Sequence, residues 1–300
     1  MYAYSYTPSR KRVFIPRVIA FIVLLATGSC SSDDSYTPPA PVMQVKLATN
    51  TTLGLGDYLV DKDGRTLYFF ANDSATVNTC VSAGCKALWP TFFAGISAQT
   101  LGKGLDINDF DTIGTGASMQ LAYKGRPLYY YAPVTNGTNT PEAAGQVLGE
   151  GVGNNWFVAK PDYTITLTNA QLVGADGNKY DSTLALILNN SKTRYLTDAR
   201  GITLYAFTVD KQNTSNCTSA GCLGTWPVYV MDKVVVPSYL NKADFTVITH
   251  PSGSKQLAYK GWPLYYYIGD NMTMGLNKGV SISYPRWPVV VRSRAAAPAP

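Results

Sequence analysis

A seven-residue phrase returns four times along this chain: Gly64-Arg-Thr-Leu-Tyr-Phe-Phe, Gly125-Arg-Pro-Leu-Tyr-Tyr-Tyr, Gly201-Ile-Thr-Leu-Tyr-Ala-Phe and Gly261-Trp-Pro-Leu-Tyr-Tyr-Tyr. Internal repetition constrains architecture more than any single residue does, because each copy must fold in the same local way. The phrases group into two larger copies. Tyr58, Asp61, Gly64, Tyr68, Phe70, Asp73, Cys80, Cys85, Trp89 and Pro90 recur 137 positions later as Tyr195, Asp198, Gly201, Tyr205, Phe207, Asp210, Cys217, Cys222, Trp226 and Pro227.

In an extended chain, alternate side chains point to opposite faces. Leu67 and Phe69 therefore share one face and Tyr68 and Phe70 the other, and the same holds for Leu128 with Tyr130, Tyr129 with Tyr131, and their counterparts. Both faces are apolar or aromatic, so each phrase predicts a strand covered on both sides. A second β-prone run stands just upstream in each case, joined by Asp61-Lys-Asp-Gly64, Lys124-Gly125 or the equivalent turn, which is a hairpin signature. Four hairpins are expected, with further strands at Trp156-Phe-Val, Tyr163-Thr-Ile-Thr-Leu and Leu184-Ala-Leu-Ile-Leu. The expected fold is all-β, mainly antiparallel hairpins with few short helices, in two tandem homologous repeats of two half-repeats each. Twenty-one tyrosines, 26 glycines and 18 prolines suit strands joined by tight turns.

The amino end carries an address. Arg10, Lys11, Arg12 and Arg17 precede an apolar run, Val18 to Ala26, and then Thr27-Gly28-Ser29 before Cys30. The run is too short to cross a bilayer permanently and has the form of a secretory signal. Cysteine after small residues resembles the bacterial lipoprotein cleavage box, which implies lipid on Cys30 and a membrane partner through that anchor. Ser31-Ser32-Asp33-Asp34 resembles the acidic sorting tag of lipoproteins displayed on the outer membrane of Bacteroidetes-type bacteria. The expected division is a signal peptide over 1–29, a proline-containing tether over 30–43, one repeat over 44–160, linking strands and a second repeat over 161–291, and a disordered tail over 292–300.

Cysteine counting is consistent with an oxidising compartment. With Cys30 set aside, Cys80 with Cys85 and Cys217 with Cys222 read as two local disulfides, against the alternatives of a redox-active dithiol or a metal site. Neither copy places histidine or a second cysteine pair in zinc spacing nearby. Removing the four cations of residues 1–29 leaves 21 against 19 acids, a formal +2, which gives no basic footprint for nucleic acid.

Tyr68-x-Phe70-x-x-Asp73, Tyr205-x-Phe207-x-x-Asp210 and Tyr265-x-Tyr267-x-x-Asp270, with Cys-rich turns before Trp-Pro and Gln-Leu-x-Tyr-x-Gly-x-Pro-Leu-Tyr at Gln120 and Gln256, resemble the secreted tandem-repeat lipoproteins that carry a Tyr-x-[Phe/Trp/Tyr]-x-x-Asp motif. The fourth copy, at Tyr129 and Tyr131, departs from it with Val134 in place of the acid. The family has no settled activity; the resemblance implies an extracytoplasmic module, with electron transfer or haem handling as the alternative it lends.

Catalytic parts are scarce. His250 is the lone histidine, and neither a nucleophile elbow nor a His-Glu-x-x-His helix occurs. A non-enzymatic surface binding or structural module is expected, with no catalytic residues, no metal and no obligatory cofactor. Tyr130, Trp156, Trp262 and Tyr266 are candidate stacking platforms for a ligand, or else members of a β core. The haem alternative would use Met272 or His250 on iron. The carboxylates Asp73, Asp210 and Asp270 read as turn caps before they read as cation or catalytic groups.

Overall fold

The computed structural model describes residues 41–73 and 77–300. The signal sequence, Cys30 and the tether as far as residue 40 lie outside the described residues. Among those described, no helix is long and apolar enough to cross a membrane.

The hairpin turns dictate the strands. β1 (Val45–Asn50) pairs antiparallel with β2 (Gly56–Asp61), and β2 turns at Asp61 into the first phrase and β3 (Tyr68–Phe70). Asp61 forms that turn itself: its Oδ1 accepts the backbone N–H groups of Asp63 (2.9 Å) and Arg65 (2.8 Å). After α1 (Ala83–Leu88) come β4 (Phe110–Ile113), β5 (Gln120–Tyr123) and β6 (Arg126–Pro127), which form one antiparallel sheet. Between β5 and β6 the turn residues Lys124 and Gly125 have φ of 50° and 78°, as a two-residue primed turn demands. A small ribbon of β7 (Val134–Thr135) and β8 (Thr138–Asn139) precedes β9 (Trp156–Val158), which pairs with β3.

The described residues of the second half follow a similar order of elements, with one added short strand and without a counterpart of the β7–β8 ribbon. β10 (Ile165–Val173) pairs along its length with β12 (Lys192–Asp198), and its far end with β11 (Lys179–Tyr180). Then follow β13 (Tyr205–Ala206), α2 (Ala220–Thr225), β14 (Phe245–Thr249), β15 (Lys255–Tyr259) and β16 (Trp262–Tyr265), with sheet order β13-β16-β15-β14. Lys260 and Gly261 again take φ of 47° and 80°. Among the described residues the fold is thus mainly antiparallel strands in small sheets, with two short α-helices.

Each Cys loop becomes a helix of six residues. Ser82 Oγ accepts from Cys85 N, and Ser219 Oγ from Cys222 N, both at 3.2 Å. These hydroxyls satisfy one of the orphan donors of each first turn. The disulfides Cys80–Cys85 and Cys217–Cys222 form across Cα separations of 5.4 and 5.5 Å, tying each helix to the chain before it. Trp89 and Trp226 close the helices, and the prolines after them prevent continuation.

The alternation of the phrases places their two faces in different cores. Tyr68, Tyr129 and Trp89 enter one aromatic cluster, and Tyr205, Tyr265 and Trp226 another. On the opposite face, Leu67 and Leu128 join a mixed aliphatic and aromatic cluster of the first half. Phe69, Phe157 and Tyr163 instead share a cluster with Ile165, Leu204, Leu257 and Leu264, so apolar packing continues across residue 160 even though no strand ladder does. Residues 41–300 form one compact unit.

Two expectations need correction here. Leu184–Leu188 is not a strand: Leu184 sits at φ 69°, Asp181 Oδ1 accepts the N–H groups of Thr183 and Ala185, and Leu186 and Leu188 are exposed. With only a single bridge from Tyr180 to Leu186, the segment lacks a sheet face to bury its leucines. The tail is not free either. Trp262 Nε1 donates to Ala295 O (2.8 Å), Gln212 N to Pro298 O (2.8 Å) and Ala297 N to Lys260 O (2.9 Å). Its alanines and prolines have little side-chain entropy to lose on docking.

Candidate functional site

The motif residues converge on two buried clusters of the same geometry. In the first, Tyr129 OH donates to Asp73 Oδ2 at 2.7 Å, while Asp73 Oδ1 accepts from Thr79 N (2.7 Å) and Thr79 Oγ1 (2.8 Å). In the second, Tyr265 OH lies 2.8 Å from Asp210 Oδ2, and Asn216 N donates to Asp210 Oδ1 at 2.7 Å. The tyrosine of the second hairpin thus satisfies the acid that follows the first hairpin.

The reciprocal bond is present as well. Tyr205 OH donates to Asp270 Oδ2 at 2.6 Å, and Lys278 N to Asp270 Oδ1 at 2.8 Å. In the first half Tyr68 OH donates to Glu142 Oε1 at 2.5 Å, and Leu148 N to Glu142 Oε2 at 2.8 Å. Glu142, and not a residue at position 134, fills the place of the missing motif acid. Val134 is exposed in the small ribbon, eight positions before Glu142. The longer glutamate side chain and the longer loop make this substitution invisible to a fixed-spacing motif.

A third pair lies on the opposite face of each phrase, against the other apolar clusters. Tyr130 OH donates to Asp61 Oδ2 and Tyr266 OH to Asp198 Oδ2, both at 2.9 Å, using the carboxylates that build the hairpin turns. The sequence signal for Asp61 and Asp198 was their shared 137-residue offset. Gln120 and Gln256 serve likewise, donating from Nε2 to the carbonyls of Leu128 (2.8 Å) and Leu264 (3.0 Å).

Aromatic stacking fills what remains. Phe70, Trp156 and Trp89 form a parallel stack with ring separations of 4.0 and 3.8 Å, and Phe207, Trp287 and Trp226 repeat it at 4.2 and 3.9 Å. Tyr131 and Tyr267 lie tilted beside Trp89 and Trp226, at 4.5 and 4.7 Å. Trp287, whose surrounding sequence differs from that of Trp156, therefore occupies the same place.

This corrects the stacking platforms. Trp156 and Trp262 are 5% and 8% exposed, so neither offers a face to a ligand: Trp156 is sandwiched, and Trp262 is covered by Arg294 at 4.1 Å. Tyr130 and Tyr266 are half-buried with their hydroxyls engaged, and pack edge-on against Phe92 and Tyr229. His250 is 1% exposed with both ring nitrogens in use. Ser252 N donates to Nδ1 (3.0 Å), and Nε2 faces Cys217 O (3.2 Å). Neither nitrogen is available to iron, and Met272 stands exposed on the surface. The Gly149–Gly153 run forms a turn that leads into β9, with Gly151 and Gly153 at positive φ. Among the described residues no group of three His, Cys, Asp or Glu is placed to hold a metal.

Burial sets the acidity of these carboxyls. It pushes Glu142 up to about 7 and Asp210 up to about 6, against the pull of their tyrosine and backbone donors. Asp73, Asp198 and Asp270 are raised for the same first reason. Burial and the adjacent acids also lift the hydroxyls of Tyr68, Tyr129, Tyr205 and Tyr265 far above the ordinary tyrosine range, so these act as permanent donors. The clusters can hold a proton and a fixed geometry, but they lie beneath the surface.

No curated protein and no solved structure matches the chain. A family model described as a secreted repeat of unknown function does match residues 246–290, the stretch that holds Tyr265, Tyr267, Asp270 and Trp287.

Proposed function

We propose that this protein is a non-enzymatic extracytoplasmic module, held to a membrane by lipid on Cys30, whose duplicated β scaffold presents a binding surface. A place outside the cytoplasm fits the match to a secreted repeat and the two disulfides. One observation carries the non-enzymatic reading: every motif tyrosine that donates does so to an acid inside the same cluster, so the best-organised polar groups are consumed in holding the fold. A catalytic base needs reach to a substrate proton, which these buried acids lack.

Two measurements test this. Cells expressing the full-length chain, fed a clickable palmitate analogue, should label it, and Cys30→Ser should abolish the label; equal labelling of both would remove the anchor. Purified protein applied to glycan and peptide arrays should retain a ligand and release it chemically unchanged. Turnover of a retained ligand would overturn the non-enzymatic reading.

A further inference from the structure

The two halves share hairpins and motif contacts but do not present the same surface, and one cleft of the second half shows the difference. It has a volume of about 500 Å³ and is lined by Arg194, Tyr239, Asp244, Lys260 and Arg292, among others. The guanidinium carbons of Arg292 and Arg194 stand 4.4 and 5.1 Å from the centre of the Tyr239 ring. Arg194 also donates to Asn155 Oδ1 at 2.6 Å, which anchors it. Among the described residues, neither arginine has a carboxylate within 4.0 Å; Asp244 faces Lys260 at 4.0 Å. Three cations against one acid leave the cleft at a formal +2.

The first half shows that the scaffold does not require this arrangement. There the pair Lys124 and Asp109, 3.9 Å apart, corresponds to Lys260 and Asp244. Lys124 Nζ donates to Pro161 O (2.6 Å) as Lys260 Nζ donates to Arg292 O (2.9 Å), so Pro161 occupies the position of Arg292. Arg194 precedes Tyr195 as Asp57 precedes Tyr58, and Tyr239 lies five positions before Asp244 as Gly104 lies before Asp109. Asp57, Gly104 and Pro161 offer no positive charge, and the first half folds on the same ladders without it.

We infer that the Arg194, Tyr239 and Arg292 cleft is a binding site for an oxyanion group, a carboxylate, sulfate or phosphate, with Lys260 at its edge. Planar guanidinium groups match such oxygens two at a time, and stacking on an aromatic ring holds them ready in that orientation. Burial pushes the Tyr239 hydroxyl up, yet the neighbouring Arg292 and Arg194 guanidinium groups bring it below its ordinary value on balance, as a positive local field would. The cleft is larger than a bare ion needs and falls in the range of small-ligand sites, which favours an oxyanion carried on a sugar-sized body. This inference rests on the reading of the protein as a binding module and names the chemistry of its ligand.

Isothermal titration of the full-length protein in low salt, with sodium sulfate, sodium phosphate and digalacturonate as separate probes, tests it and tells the sources apart. At least one probe should bind, and Arg292→Gln should weaken it about tenfold or more, as loss of a charge-assisted pair predicts. Arg292 is exposed, so that variant should keep its fold; Arg194→Gln should act in the same direction, and Arg200→Gln, on another surface, should not. Failure of all three probes to bind at millimolar concentration, or equal binding by wild type and Arg292→Gln, would overturn the site. An uncharged array ligand retained equally by both would also overturn it, and would leave the binding-module reading standing.

Discussion

Tyr265 shows what a single hydroxyl does in this fold. It lies 2.8 Å from Asp210 Oδ2 and 2.7 Å from Ser215 Oγ, so its removal leaves a buried carboxylate one donor short. Tyr265→Phe should cost about 1–3 kcal/mol at neutral pH, read from the urea midpoint, the usual price of an unsatisfied buried acceptor. The loss should shrink at pH 5, where Asp210 is already protonated. The sign of the wider pH dependence follows from the same burial. In the fold Asp210 and Glu142 keep their protons up to about pH 6 and 7, whereas from ordinary values of 3.8 and 4.5 the unfolded chain has released them. The folded chain therefore binds more protons between roughly pH 4 and 7, and stability must fall as pH rises through that window. Each group contributes up to ~3 kcal/mol of stability that is complete below about pH 4 and lost above its folded pKa. Urea midpoints from pH 4.5 to 7.5 should decline, and Asp210→Asn with Glu142→Gln should flatten the slope; midpoints that rise over this range would contradict the assignment.

At the scale of elements, the glycines that follow each second hairpin are fixed by close approach to an aromatic ring. A Cβ on Gly279 would come within 2.7 Å of Tyr205 Cε1 and 2.9 Å of Trp226 Cη2, and Gly149 meets Tyr68 and Trp89 in the same way. Gly279→Ala should therefore cost about 1–3 kcal/mol by overpacking. Gly137→Ala, strained in φ but facing open space, should cost about 1 kcal/mol. Equal thermal midpoints for the two variants would refute that contrast. Replacing Cys217 and Cys222 by alanine should cost about 2 kcal/mol on the chain-entropy model, since the closed loop is short. Much at this scale was legible from sequence: the period-two phrases and their turn glycines specified the hairpins and the two faces of each strand. What was not legible depends on contacts distant in sequence. Glu142 takes an acid's place from outside the motif, Trp287 reaches the stack through an unrelated sequence, and Leu184–Leu188 has strand composition with no sheet to join.

For the whole molecule, the decisive residue is one whose equivalent in the other half differs. Arg126 and Trp262 occupy the same step of their hairpins, after Gly125 and Gly261. Trp262 covers its own half, but Arg126 points across the boundary: its Nη2 donates to Thr166 Oγ1 (2.8 Å), with Thr197 and Thr168 farther off at 3.3 and 3.4 Å, and its guanidinium lies 4.8 Å from the Phe69 ring. Burial holds this guanidinium below its usual range, at about 10, and its Nε and Nη1 lack hydrogen-bond partners. The apolar cluster running from Phe69 and Phe157 to Leu204 and Leu264 joins the halves around it, so unfolding should be one cooperative transition, with tryptophan fluorescence and far-UV circular dichroism giving the same midpoint. Because a buried cation without a carboxylate partner contributes more desolvation cost than attraction, Arg126→Met should keep that single transition and raise its midpoint by an amount worth about 1–3 kcal/mol. Arg126→Ala removes the stem that fills the space beside Phe69 and should lower it instead. If methionine splits the transition in two, the charge itself holds the halves together, and the apolar cluster is not sufficient for that task.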